Sequence, residues 1–71
     1  MSIEAVNARN QFRGRVKEIV AGPVVSEVVV ETPHGLVTSV ITSRSVRELR
    51  LEPGTEVLAL VKATEVSIAK V

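Results

Sequence analysis

Apolar residues occur along this chain in short runs separated by turn-forming residues, and this pattern predicts β-strands. Glycine and proline mark the breaks, at Ala21-Gly22-Pro23, Pro33-His34-Gly35 and Glu52-Pro53-Gly54. One segment, roughly Ser43 to Leu49, has helical spacing instead and begins with hydroxyl side chains. The predicted strands, in chain order, are Arg15 to Val20, Val24 to Thr32, Leu36 to Ile41, Glu56 to Lys62 and Val66 to Lys70.

Five strands with one short helix between the third and the fourth are the element order of an OB-like Greek-key barrel. The second and third strands are joined by the compact Pro33-His34-Gly35 turn and predict a β-hairpin. The sequence contains no internal repeat, low-complexity segment or linker. We therefore expect an all-β protein with a single domain over residues 1–71.

The composition favours association between copies of the chain. Of the 71 residues 45% are apolar, but Phe12 is the one aromatic residue and cysteine is absent. A core this small barely offsets the entropy of ordering the chain, and no disulfide can help. Val57 to Val61 is apolar on both faces, although one face of an antiparallel sheet is usually in contact with water. A neighbouring subunit would cover that second face, so we expect a homo-oligomer.

Charge and hydropathy argue against a membrane or a polyanion as partner. No apolar run approaches the length of a transmembrane helix, and no signal-peptide pattern opens the chain. The net charge of +1 is too balanced for a protein that wraps a polyanion.

The main alternative function is that of an OB-type module for single-stranded nucleic acid or protein. Such modules combine a basic groove with aromatic stacking platforms. Phe12 alone cannot form a platform, and glutamates nearby in sequence balance Arg13, Arg15 and Lys17. We therefore interpret these three cations as an ordinary polar strand face and expect no nucleic-acid partner.

Catalysis and metal binding have few candidate residues. His34 is the single histidine, and its position between proline and glycine predicts a solvated turn residue. Aspartate and cysteine are absent, so the sequence offers neither a nucleophilic triad nor a metal-ligand set. We expect neither an enzyme nor a metal site.

Hydroxyl side chains, among them Thr42 and Ser45, cluster where the third strand leads into the helix. Ser45 and Glu48 have the spacing of a capping box. Hydroxyls and unpaired N–H groups at a helix start can donate hydrogen bonds to an anion, but they can equally serve only to cap the helix.

Lys62 ends the apolar fourth strand, where an ammonium group needs either water or a negative partner. A small dianion held by Lys62 and Arg9 would supply that partner. The alternative is that Lys62 marks the exit of the strand into solvent.

The segment Asn7-Ala8-Arg9-Asn10-Gln11-Phe12-Arg13-Gly14 resembles the opening motif of the molbindins, small molybdate-binding proteins in which serine usually stands first. The resemblance covers Val6 to Val71. Further similarities follow in the family's order at Ser39 to Thr42, Ser45-Val46, Glu48-Leu49, Pro53-Gly54 and Val61 to Val66.

The resemblance implies an OB-like barrel that assembles as a hexamer, a trimer of dimers with a strand exchanged between subunits. Oxyanions would lie at subunit interfaces. Asparagine in place of the usual serine is a departure, because its amide can donate a hydrogen bond but is bulkier. By position, the oxyanion-binding residues would be Asn7, Ala8, Arg9, Thr42, Ser45 and Lys62.

The function that the resemblance implies is binding and storage of molybdate, and of tungstate, in the cytoplasm for molybdenum homeostasis. Molybdate is a tetrahedral dianion that accepts hydrogen bonds, so N–H groups, hydroxyls and cations can hold it without a metal ion or cofactor. Sulfate is smaller, and a rigid pocket would leave donors unmet at about 1–3 kcal/mol each. A sensor or transporter would need an attached DNA-binding or ATPase domain.

Overall fold

A computed structural model describes residues 7–71 of the chain. The four strands and the helix are β1 (Asn10–Val20), β2 (Val25–Thr32), β3 (Gly35–Thr42), α1 (Ser43–Glu48) and β4 (Glu56–Val61), and a single 3-10 turn (Ala63–Glu65) follows β4. The all-β class, the hairpin and the short helix between the third and fourth strands are as predicted. Within residues 7–71, no helix has the length and apolar character needed to cross a bilayer.

The strands form one antiparallel sheet in the order β3-β2-β1-β4. β1 pairs with β4 from Asn10 to Arg15 and with β2 from Arg15 to Val20, so it passes from one partner to the other near its middle. Gly14 permits the close approach there, because a Cβ at this position would lie 2.3 Å from the carbonyl oxygen of Glu31. A bulge between Val16 and Glu18 adds local twist, and the sheet curls.

β1 begins five residues before the predicted start at Arg15. Its first half alternates between half-buried and exposed positions, with Phe12 on the inner face and Gln11 and Arg13 on the outer face. Polar residues occupy inner positions as well, Asn10 among them, so hydrophobicity alone does not show the period of two.

The core is small and built of valine. Val16, Val28 and Val30 are buried, and partly buried side chains from β1, β3, α1, β4 and the loop after α1 pack around them. Those surrounding residues are Ile19, Val37, Ile41, Val46, Leu51 and Val57.

The predicted fifth strand, Val66 to Lys70, does not form. These residues follow the 3-10 turn without strand pairing, and Ile68 is 90% exposed. A strand requires a partner for its N–H and C=O groups, and this segment pairs with neither of the open edges of its own sheet, β3 and β4. The sheet is therefore a four-stranded, incompletely closed relative of the five-stranded barrel that the sequence predicts.

An open apolar groove of about 300 Å³ lies between those two edges. Val37 and Ile41 of β3 line one side, and Val57 and Leu58 of β4 line the other. The sequence predicts that something must cover the second face of β4. In the single chain Leu60 is exposed and the other apolar residues of β4 are only half-buried, which agrees with that prediction. A single chain leaves this surface in contact with water.

Candidate functional site

Thr42, the last residue of β3, is the N-cap of α1. Its φ and ψ of −66° and 145° are extended, and its Oγ1 accepts a hydrogen bond of 3.1 Å from the N–H of Ser45. The predicted capping box between Ser45 and Glu48 is therefore wrong. Since Ser45 already lies inside the helix as the third residue after the cap, the carboxylate of Glu48 faces Arg44 instead, at 3.4 Å from its Nε.

The hydroxyl protons of this pair can be assigned from the contacts. Thr42 Oγ1 donates its single proton to Ser45 Oγ at 2.8 Å while it accepts from the Ser45 N–H. The proton of Ser45 is left to donate outward, and the chain of donors polarises it. The pair therefore has one hydroxyl that can still donate, that of Ser45, and the hydrogen bond from Thr42 orients it.

The backbone N–H groups at the start of α1 are less available than the sequence suggests. The N–H of Ser43 donates to the carbonyl of Val24 at 2.8 Å, and the N–H of Ser45 is taken by Thr42. A helix of six residues also has a weak dipole. Hydroxyls and cations, rather than the helix start itself, must supply most of the attraction for an anion here.

The segment before β1 and the start of β1 itself line an open polar cavity of about 460 Å³, formed by Asn7, Ala8, Arg9 and Gln11. Ala8 is buried, while Asn7 and Arg9 are exposed. Gln11 Nε2 donates to the Ala8 carbonyl at 3.0 Å and so fixes the backbone of the motif. Gln11 was not among the predicted site residues; its place within the opening motif was the available signal.

Lys62 lies beside this segment because of strand pairing. Asn10 pairs with Val61 at the end of the β1–β4 ladder, and Asn10 Nδ2 also donates to the Val61 carbonyl at 3.1 Å. Arg9 and Lys62 are the next residues beyond this pair, so the ladder places two exposed cations at neighbouring backbone positions. The side chain of Lys62 is exposed, as expected if the strand ends in solvent.

The six predicted residues thus form two groups within one chain. Asn7, Ala8, Arg9 and Lys62 lie where β1 and β4 meet, whereas Thr42 and Ser45 lie at the end of β3, the opposite edge strand. The polar cavity is lined by members of the first group and by neither hydroxyl of the second. Each group offers part of the donor set for a tetrahedral anion.

Two of the three cations on the basic strand face, Arg13 and Arg15, have a counterion in the structure. Arg13 Nη1 lies 2.9 Å from Glu56 Oε1, and Arg15 Nη2 lies 3.8 Å from Glu56 Oε2. The balancing carboxylate comes from β4 and not from a sequence neighbour. Within residues 7–71, no three acidic or histidine side chains are grouped as metal ligands.

Known proteins are similar to this chain in both sequence and structure. The TOBE domain family model matches residues 7–68. Molybdenum-pterin-binding protein 2 of Clostridium pasteurianum is 43% identical over 65 residues, which make up 90% of this chain and 96% of that protein. A molybdate-binding protein from Sporomusa ovata is similar in structure, with a TM-score of 0.89 and 40% identity over 94% of this chain and 100% of that one. The cytoplasmic molybdate-binding protein ModG, in a crystal form with molybdate bound, gives a TM-score of 0.80 and 39% identity over 84% of this chain and 43% of that one.

Proposed function

Because this chain belongs to the TOBE domain family, in the single-domain form of the molybdenum-pterin-binding proteins, we propose that it binds molybdate as a free oxyanion. The observation that carries the proposal is that the cations and hydrogen-bond donors suited to an oxyanion fall into two groups, at opposite edge strands of one sheet. One group supplies Arg9, Lys62 and a fixed backbone segment around Ala8. The other supplies the outward hydroxyl of Ser45.

Neither group surrounds an anion by itself, so we propose that sites are completed between copies of the chain. Interface sites suit molybdate, whose four oxygens accept hydrogen bonds from all directions. Two cations offset its charge, and hydroxyl and N–H donors fix its orientation. In this arrangement Asn7 takes the position at which the family usually has serine, and its amide donates from the rim of the cavity.

The unpaired C-terminal segment supports the assembly. Val66, Ile68 and Val71 are exposed apolar side chains on a segment without strand pairing, and the groove between β3 and β4 is apolar and open. A segment from a second copy that entered the groove would pair both edge strands and cover apolar side chains of β4. We propose a homo-oligomer with such an exchanged strand, in the hexameric arrangement that the family resemblance implies.

Storage of molybdate and tungstate in the cytoplasm is the role that we propose for this assembly. Tungstate has the same charge and nearly the same size, so the same donors would hold it. The chemistry is reversible binding, with no bond made or broken and no resident cofactor. An assembly that carries several oxyanions and releases them by mass action would buffer the supply of molybdenum.

Native mass spectrometry after exchange into molybdate, with a sulfate sample as control, tests the proposal. We expect an oligomer that carries molybdate and does not carry sulfate. A monomer without anion in both samples would refute the proposal, and binding of single-stranded oligonucleotides would then be the next measurement. An oligomer that retains sulfate as well as molybdate would contradict the assigned selectivity.

A further inference from the structure

Gly22, Ser26 and Ser43 form a closed ring of hydrogen bonds beneath the start of α1. The N–H of Gly22 donates to Ser26 Oγ at 3.4 Å, the Ser26 and Ser43 hydroxyl oxygens lie 2.7 Å apart, and Ser43 Oγ donates to the Gly22 carbonyl at 2.6 Å. Ser26 and Ser43 are 3% and 6% exposed. The ring therefore lies in the interior, where each unmet polar atom would carry a large energetic cost.

The direction of every proton in the ring follows from the contacts. Ser43 has one hydroxyl proton, and it goes to the Gly22 carbonyl. The bond between the two hydroxyls must then be donated by Ser26, whose oxygen in turn accepts from Gly22. Each hydroxyl donates once and accepts once, so all bonds run in the same sense and reinforce one another.

One member of the ring lies between the two residues whose hydroxyls are candidates for binding the oxyanion. Ser43 stands directly after Thr42 and two residues before Ser45. Its hydroxyl donates to Gly22 and its N–H donates to Val24, so both of its donors are fixed to the loop between β1 and β2. The ring and the hydrogen-bonded Thr42–Ser45 pair thus both hold the first turn of α1 in place.

We propose that Ser26 and Ser43 are positioning residues for the oxyanion site, and that their ring with Gly22 sets its selectivity between molybdate and sulfate. This inference rests on the proposed function. A braced N-cap keeps the Ser45 hydroxyl at a fixed position, suited to the larger anion. Without the ring, the start of α1 can shift inward and satisfy the smaller sulfate, so molybdate loses affinity while sulfate does not.

Ser26→Ala, Ser43→Ala and the double variant test the inference, with Thr32→Val as matched control. Thr32 is also buried at an end of β2, and its hydroxyl also bridges a turn, donating to Gly35 O at 2.7 Å and accepting from the N–H of His34 at 3.1 Å. The control therefore loses a comparable hydroxyl far from α1. Titration calorimetry of the whole protein with molybdate and with sulfate gives the ratio of the two dissociation constants for each variant.

We expect each serine variant to lower the molybdate-over-sulfate preference by about tenfold, since one hydrogen-bond energy corresponds to about that factor. The double variant should lose no more than either single one, because the ring is already open. Thr32→Val should keep the wild-type ratio. If the alanine variants do not fold, Ser26→Cys, with a near-isosteric but weak donor, gives the same readout.

These measurements distinguish a failure of the proposed function from a failure of the inference about the ring. Wild-type protein that binds no molybdate overturns the proposed function and this inference with it. Wild-type protein that binds molybdate, together with serine variants that keep its selectivity, overturns the inference alone. An equal loss of selectivity in Thr32→Val also overturns it, because general destabilisation would then explain the effect.

Discussion

Asn10 and Val61 are joined twice, by the last pair of the β1–β4 ladder and by a hydrogen bond of 3.1 Å from Asn10 Nδ2 to the Val61 carbonyl. This double connection fixes two points of the chain that are 51 residues apart. Because Arg9 and Lys62 are the next residues outward, it also places two exposed cations at neighbouring backbone positions, and Arg9 lines the polar cavity. Like charges so placed are stabilised by an anion between them.

Lys62→Ala should weaken molybdate binding by about ten- to a hundredfold, since a hydrogen bond to a charged group contributes about 1.5–3 kcal/mol. The fold should not change, because the side chain of Lys62 is exposed. Calorimetric titration measures the affinity, and circular dichroism checks the fold. Lys17→Ala, at an exposed position on the β1 bulge, is the matched control and should bind like the wild type. Equal affinities for the two variants would remove Lys62 from the site.

The hydroxyls of Thr42 and Ser45 should behave as one unit in molybdate binding. Ser45→Ala removes the outward donor, and Thr42→Val removes the group that orients it, so each should cost about tenfold in affinity. Together they should cost much less than the product of the two effects. Thr42→Ser keeps the hydroxyl and serves as the control. A fully additive double variant would mean that both hydroxyls bind the anion independently.

The sequence predicts the strand–turn–strand region well because its signals are local. Valine-rich runs flank the turn at Pro33-His34-Gly35, and the hairpin forms there with a regular register from Val25↔Thr42 to Thr32↔Gly35. The helix start was harder to predict. Thr42 and Ser45 both qualify as caps by residue type, and Thr42 is the cap in a structure where the Ser43 N–H donates to Val24, next to the last pair of the β2–β3 ladder.

The prediction of a fifth strand failed for a different reason. Val66 to Lys70 has the apolar alternation of a strand, but a strand exists only where a partner edge is available. The six predicted site residues come from a motif resemblance, whereas their division between two edges of the sheet depends on the strand order. The buried ring of Gly22, Ser26 and Ser43 carries no sequence motif, since serine occurs as readily on the surface.

Arg50→Gly should stabilise the protein by about 1 kcal/mol, because Arg50 is a non-glycine residue with a φ of 53°. It occupies the left-handed position after α1, with its N–H donating to Arg47 O and the Leu51 N–H donating to Val46 O. Glycine adopts this conformation without steric cost. For a domain of this size the melting temperature should rise by about 4–8 °C.

Scanning calorimetry measures the effect of Arg50→Gly, and Gly54→Ala provides the opposite control. Gly54 has a φ of 95°, so a Cβ there introduces the strain that Arg50→Gly removes. The control should melt at a lower temperature than the wild type. A melting temperature for Arg50→Gly at or below that of the wild type would show that the arginine side chain stabilises the protein by contacts that outweigh its backbone strain.

Ile68→Glu should dissociate the oligomer and abolish molybdate binding together. Ile68 is 90% exposed in the single chain and lies on the segment proposed to enter the apolar groove of a second copy. A carboxylate there would lose its hydration on entering the groove without gaining a partner, a cost of several kcal/mol. Light scattering after size-exclusion chromatography gives the subunit number, and titration of the same fractions gives the affinity. Ile68→Val keeps the apolar character and should assemble normally. An Ile68→Glu protein that stays assembled would place the interface elsewhere, whereas a dissociated protein that still binds molybdate would mean that one chain completes the site.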